Sequence, residues 1–202
     1  MRWDRFFEDL EDQLASEWEA ERAALDTEAE RLRLARVSLR ERLAVAAEGE
    51  PGGTPPSIEF ADGTVVVAAV TGVGADWVAL DPGTRTGAVL VPLHAVVAIG
   101  MPHADLLRSA RPSAARAPSA LAERMTLGFV LRDVSRRRLA VTVHLVGGRA
   151  LTGTIDRAGA DHLDIALHEA GAPRRSDAVR GHRLVPFAAL AWVRIDGPAA
   201  LL

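Results

Sequence analysis

The sequence predicts an α+β protein, mainly β with helices, in which a long N-terminal helix or helical hairpin precedes two small five-stranded units. Three observations lead to this prediction. Residues 3–48 contain no Gly or Pro, the period of apolar residues changes to two from Ser57 onward, and the β-rich part repeats itself. We therefore expect a helical segment at 1–50, a first β unit at 51–100, a Pro/Ala/Arg-rich linker and helix at 101–136, and a second β unit at 137–197.

The N-terminal helix carries one aromatic face. Its apolar residues follow spacings of four, three, four and four, which puts them on one side of a helix: Trp3, Phe7, Leu10, Leu14 and Trp18. Thr27 and Glu30 fit a capping box, so a break into two helices near Asp26 is an alternative to one continuous helix. An aromatic face needs cover, which either the β units, a second copy of the protein or another protein partner would provide.

Breaks in the helical pattern mark the connections. The stretch EGEPGGTPP at 48–56 ends the first helix and forms a short linker. Residues 101–118 are rich in Pro, Ser, Ala and Arg, which is typical of a flexible connection. A second helix is expected at about 119–136, with strands resuming at Leu139 and continuing to Ile195.

The β-rich part contains an internal repeat. With an offset of 85, Gly74-Ala75-Asp76 falls on Gly159-Ala160-Asp161 without a gap, and Ile58 falls on Val143. Val91-Pro92-Leu93 matches Val185-Pro186-Phe187 at an offset of 94, so the second copy carries nine additional residues. Because two shared motifs occur in the same order, the two units (repeat one and repeat two below) are expected to have the same strand plan.

Each repeat has a readable strand plan. A first strand ends in a tight turn at Asp62-Gly63 or Gly147-Gly148, where glycine supplies the positive φ that a two-residue hairpin needs. A long second strand, a third strand and two short strands joined at Pro92 or Pro186 follow. Five short antiparallel strands behind a helix predict a small closed or partly open barrel.

These motifs resemble those of a known family. The pattern Val143-x-Leu145-x-x-Gly148-x-x-Leu151-x-Gly153-x-Ile155 resembles the first sequence motif of the Sm-like proteins, and Leu93-His94-Ala95-Val96 resembles the second motif of their bacterial Hfq branch. The arrangement is also similar to an uncharacterised family of actinobacterial proteins of this length. The resemblance implies two tandem five-stranded Sm-like barrels, and it implies RNA as a ligand.

The sequence departs from the Sm-like pattern at three places. Ala68 stands where repeat one should have the second motif glycine, Leu93 replaces the basic residue of the Hfq version, and both repeats lack the Arg-Gly of eukaryotic Sm proteins. The fold inference is therefore better supported than the RNA-binding inference.

Charge points to the second half of the chain as a polyanion-binding region. Residues 1–50 carry a net charge of −6 and residues 101–202 carry +6, and every basic residue is Arg. Arginine binds phosphate bidentately and stacks on bases. The candidate RNA-binding residues are Arg136, Arg137, Arg138, Arg149, Arg157, Arg174, Arg175, Arg180 and Arg183, together with His94 and His162.

The competing function is a protein–protein adaptor or scaffold. Residues 87–100, GAVLVPLHAVVAIG, contain no charged residue and would form the last two strands of repeat one. An apolar sheet edge left unpaired favours aggregation, so we expect it to pair with the matching edge of repeat two, residues 183–193. The aromatic face of the N-terminal helix would dock the partner.

Other classes of function are not indicated. Cysteine is absent, which excludes disulfides, thiolate nucleophiles and thiolate zinc sites. No nucleophile elbow, paired carboxylates or phosphate loop is recognisable. We therefore expect a non-enzymatic protein without cofactor or metal, and no stretch suggests a signal peptide or membrane span, which favours a cytoplasmic location.

Overall fold

The computed structural model describes residues 2–49, 53–83, 87–111, 124–171 and 174–196, with only the helical backbone described for residues 2–12. Its α-helices are α1 (Arg2–Ala35), α2 (Leu39–Ala47), α3 (His103–Ser109) and α4 (Leu127–Arg136). The strands of repeat one are β1 (Ser57–Phe60), β2 (Val65–Val67), β3 (Ala69–Val73), β4 (Trp77–Asp81), β5 (Ala88–Pro92) and β6 (Val96–Gly100). Those of repeat two are β7 (Ala140–Leu145), β8 (Ala150–Ala158), β9 (His162–Leu167), β10 (Gly181–Pro186) and β11 (Leu190–Ile195).

The N-terminal segment forms two helices, but the break lies at residues 36–38 and not near Asp26. Ser38 caps α2 through a capping box, in which its hydroxyl accepts from the backbone N–H of Glu41 while the Glu41 carboxylate accepts from the backbone N–H of Ser38. The backbone hydrogen bond to Glu41 holds the pKa of that carboxyl below its usual value. Thr27 does not cap a helix, because its hydroxyl donates to the carbonyl of Ala23 inside α1.

The connection between the repeats differs from the prediction in two ways. Residues 103–109, expected to be part of a flexible stretch, form helix α3, which packs against α2. The guanidinium of Arg42 binds this helix through the carbonyl of Leu106 and the hydroxyl of Ser109. Helix α4 begins at Leu127, later than the expected residue 119; the segment 112–123 lies outside the described residues.

All strand pairs are antiparallel and fall into two sheets. One has the order β2-β1-β6, and the other has the order β10-β9-β8-β7-β11-β5-β4-β3. The long second strand expected in repeat one is interrupted at buried Ala68 and pairs with a different sheet on each side, so repeat one has six strands instead of five. No closed barrel forms within the described residues, because the last two strands of each repeat do not pair with each other.

The strand registers confirm the sequence repeat. In repeat one Ile58 faces Ile99, and in repeat two Val143 faces Val193, as the offsets of 85 and 94 require. The third and fourth strands agree in the same way, since Trp77 faces Pro92 and His162 faces Pro186. Both proline junctions continue into a short 3₁₀ turn, at Leu93–Ala95 and at Phe187–Ala189.

Two apolar cores lie on opposite sides of the central strands. The first collects buried side chains of α2 and repeat one, including Leu43, Phe60 and Leu80. The second lies between α4 and repeat two and includes Leu131 and Ile165. Helix α4 is strongly amphipathic and turns five residues to this core: Leu127, Gly128, Val130, Leu131 and Val134.

Helix α1 extends from the body of the protein. From Gln13 to Arg36 every side chain is exposed, so the helix packs on neither repeat over this length. None of the helices in the described part of the chain is long and apolar enough to cross a lipid bilayer.

Candidate functional site: the seam between the repeats and its free edges

The two repeats are joined by one ladder between strands β5 and β11, which we call the seam. Leu90 faces Val193, Val89 faces Arg194, and Ala88 faces Ile195. The expected cover for the apolar edge of repeat one therefore comes from repeat two. It consists of the last strand of that repeat, which overlaps only in part with the expected residues 183–193.

The seam shares side chains between the two cores. Leu90 of repeat one lies in the core of repeat two, together with Trp77 and Ala79. In return Ala191 and Trp192 of repeat two lie in the core of repeat one. Because successive side chains of a strand point to opposite faces, each seam strand contributes to both cores. Neither repeat can therefore bury its own core completely in the absence of the other.

Gly87 allows the seam strands to approach closely. Its φ is +89°, a region that favours glycine, and a Cβ atom on it would lie 2.0 Å from the carbonyl oxygen of Ile195. Any larger residue would push the start of β5 away from β11.

A polar cluster crosses from repeat one to repeat two beside the seam. The indole Nε1–H of Trp192 donates to the carboxylate of Asp62 over 2.9 Å, and Asp62 lies in the β1–β2 turn. Burial favours a higher pKa for Asp62, but the hydrogen bonds from the backbone N–H of Thr64 and from Trp192 outweigh it and hold the pKa below its usual value. This ionised carboxylate ties the two repeats together.

The imidazole of His144 stacks on the Trp192 indole and belongs to the same cluster. Its ring is parallel to the Trp192 indole, and its Nε2 atom is buried without a hydrogen-bond partner among the described residues. Burial lowers the pKa of His144, Asp62 acts in the opposite direction, and Arg194 lowers the pKa further. The imidazole is therefore neutral at pH 7.

Repeat one also supplies the N-terminal cap of a helix that belongs to repeat two. The Asp76 carboxylate accepts from the backbone N–H of Leu127 over 2.6 Å, and Thr126 at the N-cap position makes no side-chain cap. The carbonyl of Met125 accepts from the Trp77 indole and from the backbone N–H of Ala75. The start of α4 is thus anchored on the Gly74-Ala75-Asp76 turn.

Four strands end the two sheets, namely β2, β6, β10 and β3. Two of them, β6 and β10, are the repeat equivalents of the seam strands β11 and β5, and we call the outer sides of these two strands the free edges. Strand β6 ends the three-stranded sheet and β10 ends the eight-stranded sheet, and no strand of the described residues pairs with their outer sides. Val97 on β6 and Leu184 on β10 are exposed. Of the apolar stretch 87–100 that was expected to pair with repeat two, only the β5 part does so: Val89 is buried in the seam, whereas Val97 on β6 is exposed.

Four of the predicted RNA-binding arginines are paired with carboxylates of the same chain. Arg136 and Arg137 both bind Asp133, Arg174 binds Asp156, and Arg180 binds Glu169. These pairs reduce the positive charge that the second half of the chain offers to a polyanion.

The remaining predicted arginines are exposed and have no carboxylate within ion-pair distance among the described residues. They are Arg138, Arg149, Arg157, Arg175 and Arg183. The structure brings Arg157 and Arg183 together with Arg174 around one shallow depression that Asp156 and Asp164 also line. The others lie elsewhere, at the end of α4 (Arg136, Arg137 and Arg138), in the β7–β8 turn (Arg149) or in the loop before β10 (Arg175 and Arg180).

The two predicted histidines lie on different repeats. His94 is exposed in the 3₁₀ turn after β5, and His162 is half-exposed at the start of β9. The Nδ1–H of His162 donates a hydrogen bond to the Asp161 carboxylate, and this bond lowers the pKa of Asp161. Trp77, its counterpart in repeat one, is a buried packing residue.

The predicted interface on α1 is described for two of its five residues. Leu14 and Trp18 are exposed, so of the alternatives for covering this face, packing on the repeats of the same chain does not apply to these two residues. Trp3, Phe7 and Leu10 belong to the helix, but their side chains lie outside the described residues.

The sequence did not point to Asp62, His144 or Trp192 as a cluster. They are 48 to 130 residues apart along the chain, and only the seam brings them together. Within the described residues, no three His, Asp or Glu side chains come close enough to hold a metal ion. No protein-family model, curated protein or solved structure matches this chain.

Proposed function

We propose that this chain is a non-enzymatic scaffold protein built from two Sm-like barrels, which assembles with further copies of itself through the free edges. The proposal is supported by the seam, which joins repeat one to repeat two by pairing β5 with β11, and by the equivalent strands β10 and β6, whose outer sides have no partner among the described residues.

The Sm-like assignment rests on the strand plan of the repeats. Each repeat has a helix ahead of it and a hairpin of the first two strands, and its last strand pairs with its first. The second strand is bent, by the interruption at Ala68 in repeat one and by an irregularity between Ile155 and Arg157 in repeat two. A bent, partly open sheet of this kind is a small barrel whose last two strands remain available for pairing.

Burial differs sharply between repeat-equivalent positions at the seam and at the free edges. Leu90 on β5 is 0% exposed because β11 covers it, whereas Leu184, its equivalent on β10, is 65% exposed. Strand β10 is thus the repeat equivalent of the seam strand β5, and β6 is the repeat equivalent of the seam strand β11. An uncovered sheet edge is a template for pairing with another chain.

The seam register transfers directly to the proposed contact. Val193 faces Leu90 in the seam, and the offset of 94 relates Val193 to Ile99 and Leu90 to Leu184. In an assembly, Ile99 of one copy would face Leu184 of the next, and Gly100 would face Arg183. Because the two edges differ, the contact is head-to-tail and generates a ring or a filament.

Cross-linking of single-cysteine variants tests this register, since the natural chain has no cysteine. We expect a mixture of Ile99→Cys and Leu184→Cys proteins to form a cross-linked dimer with a short thiol-specific reagent. Either variant alone should form none, because neither position faces itself. A mixture of Val65→Cys and Leu184→Cys is the control, since Val65 is equally exposed but lies on β2.

The assembly should also respond to charge on the edge. Leu184→Asp places a carboxylate against the apolar residue of the next copy, so sedimentation velocity should show a smaller particle than for the natural chain. The same exchange at Val65 should leave the particle size unchanged. A natural chain that sediments as a monomer at high concentration, without cross-linking between positions 99 and 184, would contradict the proposal.

RNA binding is the second candidate function, and one observation favours it. Arg157 and Arg183 lie beside Arg174 around a single depression, and neither of the first two has an ion-pair partner among the described residues. Arg183 lies on β10 itself, so the cluster would adjoin the proposed contact between copies.

A binding titration with single-stranded RNA tests this second function. We expect affinity that weakens steeply with salt, and a loss of about tenfold when Arg157 and Arg183 are both changed to Ala, since each phosphate contact contributes to the electrostatic term. Arg180→Ala is the matched control, because Arg180 is neutralised by Glu169. Equal losses in both proteins, or no salt dependence, would count against RNA binding at this depression.

A further inference from the structure

Helix α1 presents an uncovered surface that the edge contact does not use. It has 34 residues, which corresponds to a length of about 51 Å. All described side chains from Gln13 to the end of the helix are exposed. Isolated helices are only marginally stable in water, so a helix of this length gains stability mainly from packing against a partner.

The described part of α1 carries a continuous apolar stripe. Leu14, Trp18, Leu25 and Leu32 lie within an arc of roughly 40° when each residue advances the helix by about 100°. Trp18 is 62% and Leu25 is 65% exposed. Trp18, Leu25 and Leu32 follow each other at intervals of seven, the repeat by which two helices keep contact along their length.

The residues between these large side chains are suited to close helix packing. The seven-residue pattern has a second contact position, three residues before each of the large side chains that recur at intervals of seven. Ala15, Arg22 and Ala29 occupy this position in turn, and Arg36 continues the series. The small alanines let a partner helix approach, and the long arginines extend their charged groups to the rim. The stripe therefore has the pattern of a two-helix contact.

Charge along α1 determines which orientation is favoured. Residues 2–21 contain eight acidic residues and two Arg, a net charge of −6, whereas residues 22–36 contain four Arg and three acidic residues, a net charge of +1. A parallel pair of identical helices would put the two acidic halves side by side. An antiparallel pair puts each acidic half against the basic half of the other helix.

We propose that α1 pairs with the α1 helix of a second copy in antiparallel orientation, through the stripe formed by Leu14, Trp18, Leu25 and Leu32. The contact is a symmetric pairing of two identical surfaces and is separate from the head-to-tail edge contact. It does not rest on the proposed edge assembly, and together the two contacts would cross-link rows of edge-paired molecules.

The oligomeric state of the full chain tests the contact. In protein carrying Leu184→Asp, which removes the edge contact, light scattering should give twice the mass of one chain. Adding Leu25→Glu should reduce the mass to that of a monomer. Adding Leu34→Glu instead should leave the dimer intact, because Leu34 lies roughly 180° around the helix from Leu25.

Cysteine cross-linking tests the orientation. In a parallel pair both Ala15→Cys and Ala29→Cys would cross-link to themselves. In an antiparallel pair, a residue lies close to the same residue of the partner helix only near the symmetry axis. Residues 15 and 29 are 14 positions apart, so they cannot both cross-link in this way. Self-cross-linking of both variants would overturn the antiparallel arrangement.

The outcomes separate this proposal from the edge assembly. A monomeric Leu184→Asp protein would overturn the helix pairing and leave the edge contact standing. A second outcome is a dimer that Leu25→Glu dissociates, together with no cross-link between positions 99 and 184. This result would support the helix pairing and contradict the edge proposal. A dimer that persists with Leu25→Glu would overturn pairing through the stripe.

Discussion

The imidazole of His144 lies flat against the indole of Trp192, with ring centroids 3.6 Å apart and an interplanar angle of 8°. The same indole donates a hydrogen bond to Asp62 of the other repeat. One tryptophan therefore connects a histidine of β7, an aspartate of the β1–β2 turn and the core of repeat one. Stability of the seam should depend on the charge state and shape of these three side chains.

The first prediction concerns pH. The pKa of His144 is lowered in the fold by burial, so the unfolded chain takes up a proton on this side chain at a higher pH than the folded chain does. Stability should therefore fall as the pH drops below about 6.5, the ordinary histidine value. His144→Phe keeps an aromatic ring against Trp192 without a titrating group, and urea unfolding between pH 8 and pH 5 should show a weaker pH dependence.

His103→Gln serves as the control for this experiment. His103 is exposed at the start of α3 and lies outside the seam, so this variant removes a histidine without touching the Trp192 stack. An unchanged slope in His144→Phe would show that His144 does not contribute to it.

The second prediction concerns the hydrogen bond between the repeats. Trp192→Phe removes the indole N–H and leaves the Asp62 carboxylate without this donor, which should lower the free energy of unfolding by about 1–2 kcal/mol. A double-mutant cycle with Asp62→Ala isolates the interaction, because the change at one position should cost less once the other partner is gone. Additive effects of the two changes would mean that the bond contributes nothing to stability.

The third prediction concerns Gly87. An alanine there needs a positive φ and places Cβ 2.0 Å from the Ile195 carbonyl oxygen, so we expect Gly87→Ala to destabilise the protein by more than about 3 kcal/mol in thermal or urea unfolding. Gly83→Ala is matched in backbone conformation, with φ of +68° and open space around the new Cβ. It should cost only about 1 kcal/mol. Equal effects would show that backbone conformation, and not the close approach of the seam strands, decides the outcome.

The fourth prediction concerns the helix cap that repeat one supplies to α4. Asp76→Ala removes the acceptor for the backbone N–H of Leu127, and the unfolding free energy should fall by about 1 kcal/mol. The sequence repeat offers a control in Asp161→Ala, because Asp161 is equivalent to Asp76 but is exposed and accepts from His162 instead of a helix terminus. Equal effects of the two substitutions would contradict the capping role of Asp76.

The class of the fold, the repeat and most of the strand plan can be predicted from the amino-acid sequence, because these features depend on local patterns. The change in period at Ser57, the glycines of the hairpin turns and the paired GAD and Val-Pro motifs each act over a few residues. The equivalence of the Ile58–Ile99 pair with the Val143–Val193 pair follows from the repeat. The helix break was misplaced because Thr27 and Ser38 both precede a glutamate by three residues, and only the observed hydrogen bonds distinguish the two.

Which strands pair between the repeats, and which arginines remain without a carboxylate partner, depends on how the chain folds in three dimensions. The pairing of β5 with β11 depends on contacts about 100 residues apart along the chain, and no local pattern specifies such a distant partner. The contacts of Asp62 with Trp192 and of Asp76 with Leu127 likewise join residues 130 and 51 positions apart. The arginines look alike in the sequence, yet Arg174 and Arg180 are neutralised by carboxylates while Arg157 and Arg183 are not, because ion pairing depends on where the chain brings each side chain.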